Sequence, residues 1–267
     1  MKFKSLLLTC CALIPLIAVA QSTETAETIE IRSKAENLKG IANSGSEGIV
    51  SGLRIAALPI LRPGEIMEMV PGLIVTQHAG DGKANQYFLR GFNLDHGTDF
   101  ATFVNGVPAN MPTHAHGQGY TDLNFLIPEL VDQIAYRKGT YSALDGDFSA
   151  AGSARIEYIQ KMDGHLAEAT AGANGYKRLL LAGSPKRIEG QWLYGLEVFR
   201  NDGPWVIPEK YQKINGVLSF TEGTRINGYS LTGMLYKSSW VSTDQIPLRA
   251  VNQGIIDRFG SADPTTG

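Results

Sequence analysis

Cysteine is almost missing from this chain. Its two cysteines, Cys10 and Cys11, are adjacent and close to the start, so no disulfide framework and no cysteine metal site can exist in the body of the protein. An excess of one charge is missing too. The 24 Lys and Arg stand against 26 Asp and Glu, which leaves no basic surplus to neutralise a phosphate backbone, and nucleic acid is excluded as a partner. After residue 20 no apolar run is long enough to cross a bilayer as a helix. There is no His-Glu-x-x-His helix, no Gly-x-Ser-x-Gly elbow and no phosphate-binding glycine loop, so no catalysis is expected. With 43% hydrophobic residues and 30 glycines in 267, composition also rules out a collagen, a coiled coil, a long disordered tail and a polytopic helical membrane protein.

The first residues are an address. Lys2 and Lys4 precede an apolar run from Leu6 to Ile17, and Ala18-Val19-Ala20 supplies a small-x-small cleavage site before Gln21. A membrane anchor is the competing reading, but the run is short, Pro15 interrupts it and polar residues follow. A signal peptide over 1–20, cleaved after Ala20, is therefore expected. Residues 21–51 are polar, with little apolar periodicity, and are expected to be mobile. Within them Glu27-Thr28-Ile29-Glu30-Ile31 alternates polar with β-branched residues. That pattern suits a strand added to the edge of another protein's sheet, and equally the first strand of the following domain.

Residues 52–163 read as a compact α/β unit. Pro63 to Val70 has an acidic first turn and ends at Pro71-Gly72, which predicts a short helix. Leu73–Thr76, Tyr87–Arg90, Asp99–Val104 and Ala154–Ile159 are β-rich, and Asn105-Gly106 favours a tight hairpin. A second short helix is expected within 123–134, around Pro128-Glu129-Leu130.

From 164 to 267 the texture changes to alternating segments separated by turns. Trp192, Tyr194, Leu196 and Val198 share one face of a strand; Ile214, Leu218 and Phe220 share one face of the next, with Lys213, Asn215 and Ser219 on the other. Period-two segments of about ten residues are what a membrane β-barrel requires, and the three tryptophans, Trp192, Trp205 and Trp240, would suit its interfacial girdles. A soluble β-sandwich fits the alternation equally well.

Taken together, the motifs resemble the N-terminal part of a TonB-dependent outer-membrane receptor. Glu27–Ile31 resembles the TonB box, the segment seized by the energy-coupling protein TonB. Pro63-Gly64-Glu65 through Val70-Pro71-Gly72-Leu73-Ile74-Val75 is similar to the opening of the plug domain. Tyr87-Phe88-Leu89-Arg90-Gly91-Phe92 resembles the family's arginine-glycine-aromatic strand end, and Phe103-Val104-Asn105-Gly106-Val107-Pro108 its hairpin. Arg90, Gly91, Asn105, Gly106 and Pro108 are thus expected to be structural plug residues. The chain departs from the family pattern at Lys138-Gly139-Thr140 and Asp145-Gly146-Asp147. The resemblance implies an α+β plug, a small mixed β-sheet with short helices, followed by the first antiparallel strands of a transmembrane β-barrel. A plugged barrel has ~22 strands and 164–267 has room for four or five at ~10 residues each, so a fragment is expected.

The implied function is TonB-dependent import of a scarce substrate, a siderophore, metal chelate, haem, cobalamin or carbohydrate, in the cell outer membrane. The implied partners are TonB, outer-membrane lipid and a small-molecule substrate; no cofactor is required, and a metal or its chelate enters only as the transported substrate. The alternatives are a passive small barrel or adhesin, or a periplasmic metal-binding protein. Histidines bear on the substrate. His78, His96, His114 and His116 fall in the plug segment, and His114 and His116 at i, i+2 would point the same way if extended, close enough to share Zn²⁺ or Cu²⁺. Asp95, His96 or Asp99 would complete the site. Solvent-facing histidines in a polar loop are the other reading.

Overall fold

The computed structural model describes residues 41–42, 44–185, 190–223 and 227–261. The expected signal peptide and the Glu27–Ile31 segment lie outside the described residues. Nine strands come first: β1 (Ile41–Ala42), β2 (Glu47–Ser51), β3 (Leu73–Thr76), β4 (Gln86–Leu89), β5 (Phe92–Asn93), β6 (Phe100–Val104), β7 (Val107–Pro108), β8 (Val131–Lys138) and β9 (Gly152–Tyr158). Six of them form a sheet in the order β1-β2-β8-β9-β6-β7, and β3-β4-β5 form a separate three-stranded sheet. The larger sheet is mixed, because β6 and β9 run parallel while β8 pairs antiparallel with both β2 and β9.

Periodicity explains these strands. Along β8 and β9 the residues Ile134, Tyr136, Ala154, Ile156 and Tyr158 point to one buried face, as a period of two demands. Phe100, Leu126, Ile127, Leu130, Ile66 and Met67 complete the core beneath them. At Asn105 and Gly106 the backbone takes φ of 47° and 81°, the left-handed pair that a two-residue hairpin needs to match the twist of β6 and β7.

Two expectations are corrected here. Residues 47–51, assigned to the mobile leader, form β2, which is paired to β8 from Glu47↔Arg137 to Ser51↔Gln133; Ile49 and Val50 supply the β-branched residues that hold it there. The helix expected within 123–134 is only a 3₁₀ turn, Pro128–Leu130. Pro128 forces Ile127 into an extended conformation, φ −110° and ψ 99°, which forbids a helix before it, and β8 begins at Val131. The earlier segment Pro63–Met69 is helical but 3₁₀, with the Glu65 carboxylate accepting the Arg62 N–H at 3.1 Å.

The rest is an antiparallel meander of β10 (His165–Ala171), β11 (Lys177–Gly183), β12 (Gln191–Asn201), β13 (Tyr211–Gly223) and β14 (Gly228–Ser239), paired in sequence order. Its faces are inverted relative to a soluble sheet. Leu179, Leu181, Leu196, Val198, Ile214, Leu218, Leu231 and Leu235 are exposed on one side, whereas Glu197, Lys213, Asn215, Ser219 and Thr221 are buried on the other. An apolar outward face over an inner face that mixes these polar residues with Leu180, Leu193, Phe199 and Val217 is the pattern of a membrane β-barrel wall around a plug, and not of a sandwich, whose outward faces are polar. Trp192, Phe220 and Tyr229 form an outward aromatic group, with ring centroids 4.9 and 5.9 Å apart. Trp205 is not part of a girdle: it lies in the β12–β13 loop and donates its indole N–H to Glu209 at 3.2 Å.

The two units pack directly. At Gly195 on β12 an added Cβ would stand 2.7 Å from Leu130 and 3.2 Å from Ile127, so the missing side chain is what lets the 3₁₀ turn of the first unit lie against the meander's inner face.

Candidate functional site

Three loops of the first unit meet above its core: 77–85 after β3, 93–99 after β5, and 112–119. The last is closed at its neck by an isolated bridge between Met111 and Tyr120, where the Met111 N–H donates to the Tyr120 carbonyl at 2.9 Å. Asn110, 7% exposed, fixes this loop to its neighbour. Its Nδ2 lies 3.0–3.1 Å from the carbonyls of Gly97, Phe100 and Gly119, and its Oδ1 accepts the Thr102 N–H at 2.7 Å. The Thr121 N–H donates to the His96 carbonyl at 2.8 Å. At Gly97, φ is 108°, and an added Cβ would meet the Thr121 side chain, so glycine is required where the turn crosses this strand.

These constraints bring the histidines together. His78 Nε2 lies 3.1 Å from His96 Nε2, and the His96 and His116 rings meet edge to face with centroids 4.4 Å apart. Asp95 Oδ1 is 3.8 Å from His96 Nε2 and 4.0 Å from His116 Nε2. The ligating atoms of Asp95, His96 and His116 all fall within 4.8 Å of one another. Asp95 and His116 are half-exposed while His96 is 2% exposed, so the arrangement is a cup with a histidine floor and an open rim.

The floor is electrostatically defined. His96 Nδ1 lies 3.0 Å from the Asn85 carbonyl oxygen; a carbonyl only accepts, so Nδ1 carries the proton and Nε2 of the neutral ring holds a lone pair facing the cup. Burial holds this imidazole below its usual pKa, although the Asn85 carbonyl and Asp95 pull the other way. His78 Nε2 must then be the donor to that lone pair, which leaves its Nδ1 buried with no partner among the described residues.

Of the residues expected to form the site, Asp95, His96 and His116 are brought together. His114 stands apart from that group: it stacks on Tyr120 at 3.9 Å between centroids, and its Nδ1 accepts the His116 N–H at 3.2 Å. Its i, i+2 parity with His116 assumes an extended segment, and the loop is not one. Asp99 is exposed and contributes its carbonyl to Ala151 at 2.8 Å. Sequence reasoning did not select His78, Asn85, Asn110 or Tyr120; the first three reach the His96 turn across 11 to 18 residues of chain and carry no local signal.

The comparisons place this unit. The family model described as "TonB-dependent Receptor Plug Domain" matches residues 40–153. Residues 40–153 thus match the plug domain of the TonB-dependent receptors. Among solved structures it is similar to "Copper transporter OprC" at 17% identity and a TM-score of 0.55, covering 75% of this chain and 32% of that one. It is similar also to the siderophore receptor PirA from Acinetobacter baumannii (14% identity, TM-score 0.54, 81% of this chain and 34% of that one). A third is the pyoverdine outer membrane receptor FpvA from Pseudomonas aeruginosa (17% identity, TM-score 0.51, 73% and 28%). The chain thus spans about a third of the length of these proteins. At such identities the likeness is one of fold: a plug followed by antiparallel barrel strands.

The departure from the family pattern near 145 has a structural role in the plug. Asp145 is buried and pairs with Arg137 at 2.8 Å and Arg155 at 3.1 Å. Burial works against its charge, but the hydrogen bonds from these two arginines hold its carboxyl below the usual carboxylate range. Arg90 and Gly91, with φ of 52° and 85°, make the tight turn from β4 to β5, and Asn105 Oδ1 accepts the Tyr158 N–H at 2.9 Å.

A polar seam joins plug to strands. Glu197 on β12, 2% exposed, accepts from Arg178 at 2.6 Å, Asn215 at 2.8 Å and Lys213 at 3.1 Å. Arg178 in turn grips Glu129 of the plug with both terminal nitrogens, at 2.6 and 2.9 Å, and Asn215 donates to the Asn124 carbonyl at 3.1 Å. Nearer the histidine cup, the plug loop 77–83 is held by the β12–β13 loop and by Thr243. The Asp81 N–H donates to Glu209 at 3.1 Å, Asn201 donates to Asp81 at 2.7 Å, and Lys83 donates to the Thr243 carbonyl at 3.1 Å.

Proposed function

We propose that this chain belongs to a receptor that imports a scarce small molecule across the bacterial outer membrane, with the plug as its gate and TonB as its motor. The observation that carries the reading is the inverted meander packed on a plug: lipid-facing leucines and valines outside, Glu197, Lys213 and Asn215 inside against Asn124 and Glu129. A wall of that kind needs a lipid environment, and the plug fills the space behind it. The loops that bear the histidine cup contact the β12–β13 loop, and this is the end we assign to substrate capture.

Energy enters at the other end of the account. The alternating segment Glu27–Ile31 is suited to pair as a strand with TonB, and backbone pairing bears load better than side-chain contacts do. Capture outside is coupled to presentation of this segment inside by differential affinity for two plug states. In the intact receptor, deletion of residues 27–31 is expected to abolish uptake while surface binding persists, measured with zinc, copper and ferric-chelate probes. Uptake at the undeleted rate would refute the mechanism.

A further inference from the structure

The substrate class can be taken further from the cup itself, resting on the import reading above. We propose that Asp95, His96 and His116, with His78 beside His96, form a capture site for a divalent transition-metal ion of the imidazole-seeking kind, Zn²⁺ or Cu²⁺.

Four observations carry the assignment. The donor set is two imidazoles and one carboxylate, the mixture that Zn²⁺ and Cu²⁺ prefer over Mg²⁺ or Ca²⁺, whose ligands are oxygens. The spacing is near what an ion requires: with metal bonds of ~2.0–2.1 Å, two ligands of a tetrahedral ion stand ~3.3 Å apart, against 3.8 and 4.0 Å for His96–Asp95 and His116–Asp95 and no more than 4.8 Å for any pair of the three. The small closure needed falls on Asp95 and His116, the half-exposed rim. His96 is prepared as a ligand, since the Asn85 carbonyl fixes its Nδ1–H and aims the Nε2 lone pair into the cup; a backbone carbonyl on the far nitrogen is the usual support of a metal-bound histidine.

The last observation is the close approach of His78 and His96. The Nε2 atoms of the two rings face one another at 3.1 Å, which sets a second imidazole directly beside the His96 lone pair. A solvent-facing loop has no reason to hold two rings in this way. The open rim, on plug loops beside the β12–β13 loop, suits capture followed by release, rather than a closed structural site.

The test is calorimetric titration of the full chain in detergent micelles with ZnCl₂ and CuCl₂, and with MgCl₂ as the oxygen-seeking control. Wild type is expected to bind one Zn²⁺ or Cu²⁺ and no Mg²⁺. Because Asp95 and His116 are at the rim, Asp95→Asn and His116→Ala should fold, which circular dichroism checks, and each should weaken binding by more than about tenfold, the lower end of what even a supporting partner costs. His165→Ala, a histidine on β10 outside the cup, should leave it unchanged. No stoichiometric binding, equal binding of Mg²⁺, or affinity lost in His165→Ala but kept in the rim variants would overturn the proposal. Because the titration needs neither TonB nor residues 27–31, its failure leaves TonB-driven import of another substrate standing, and a failed uptake experiment leaves the site standing.

Discussion

Replacing Glu197 by Gln should destabilise the chain more than any single change at the exposed end of the same network. Glu197 and Lys213 are 2% and 4% exposed and 3.1 Å apart, and among the described residues Glu197 is the carboxylate that neutralises Lys213. Glutamine keeps the shape and the hydrogen-bond acceptor for Asn215 but strands a buried ammonium, and a broken buried pair costs about 3–5 kcal/mol. Arg178 is spared that penalty because it retains the fork onto Glu129. Glu129→Gln, at the partly exposed end, should therefore cost only about 1–2 kcal/mol, a charge-assisted hydrogen bond discounted for solvent. The shift of the urea midpoint, followed by tryptophan fluorescence of the micelle-bound chain, measures both. The decisive variant is the double one: Lys213→Met in the Glu197→Gln background removes the stranded charge and should recover most of the loss, since an apolar isostere of a buried pair is often neutral. A Glu197→Gln loss no larger than that of Glu129→Gln, or no recovery in the double variant, would refute the view that this seam is a compensated buried charge cluster.

Asn110→Ala should cost about 1–3 kcal/mol for each group it leaves unsatisfied, and it should also loosen metal binding, because Asn110 joins the His96 turn to the His116 loop; thermal unfolding and the titration above read the two effects. At the plug–loop junction, burial first and then Asp81 push Glu209 up to about 7, against the Asp81 N–H, the Trp205 indole and Arg62, which favour its charge. A carboxyl raised in the folded state binds more protons than when unfolded, so stability should fall as pH rises from about 4.5 toward 7. Glu209→Gln should flatten that slope in urea melts taken between pH 5 and 7.5; an unchanged slope would mean that Glu209 is not its source.

The barrel wall was legible because its period is two and its strands are long. What the sequence could not say was which face looks inward, and the structure decides this by burying Lys213 and Asn215 while exposing Ile214 and Leu218. The hairpin at Asn105-Gly106 was legible for a local reason, since it needs a residue pair that tolerates positive φ, whereas Arg90-Gly91 was marked only by the family resemblance. The second helix failed for a local reason as well: it was placed across 123–134 around Pro128-Glu129-Leu130, and the restriction that Pro128 puts on Ile127 leaves only the 3₁₀ turn. The site was half legible. Asp95, His96 and His116 are close in composition-rich loops, but their convergence depends on Asn110 and on the Met111–Tyr120 closure, and His78 arrives from a loop 18 residues from His96. Pair parity at 114 and 116 misled because it presumes an extended backbone, and the loop instead turns His114 onto Tyr120.

The central claim, that TonB drives this receptor through residues 27–31, is tested most directly by cross-linking in cells. With cysteine placed at Ile29 and along the pairing strand of TonB, a disulfide adduct between the two proteins is expected; it should intensify when substrate is supplied and vanish when Thr28 is changed to Pro, which removes a backbone donor. Absence of any adduct along that strand, with the receptor correctly inserted, would contradict the account.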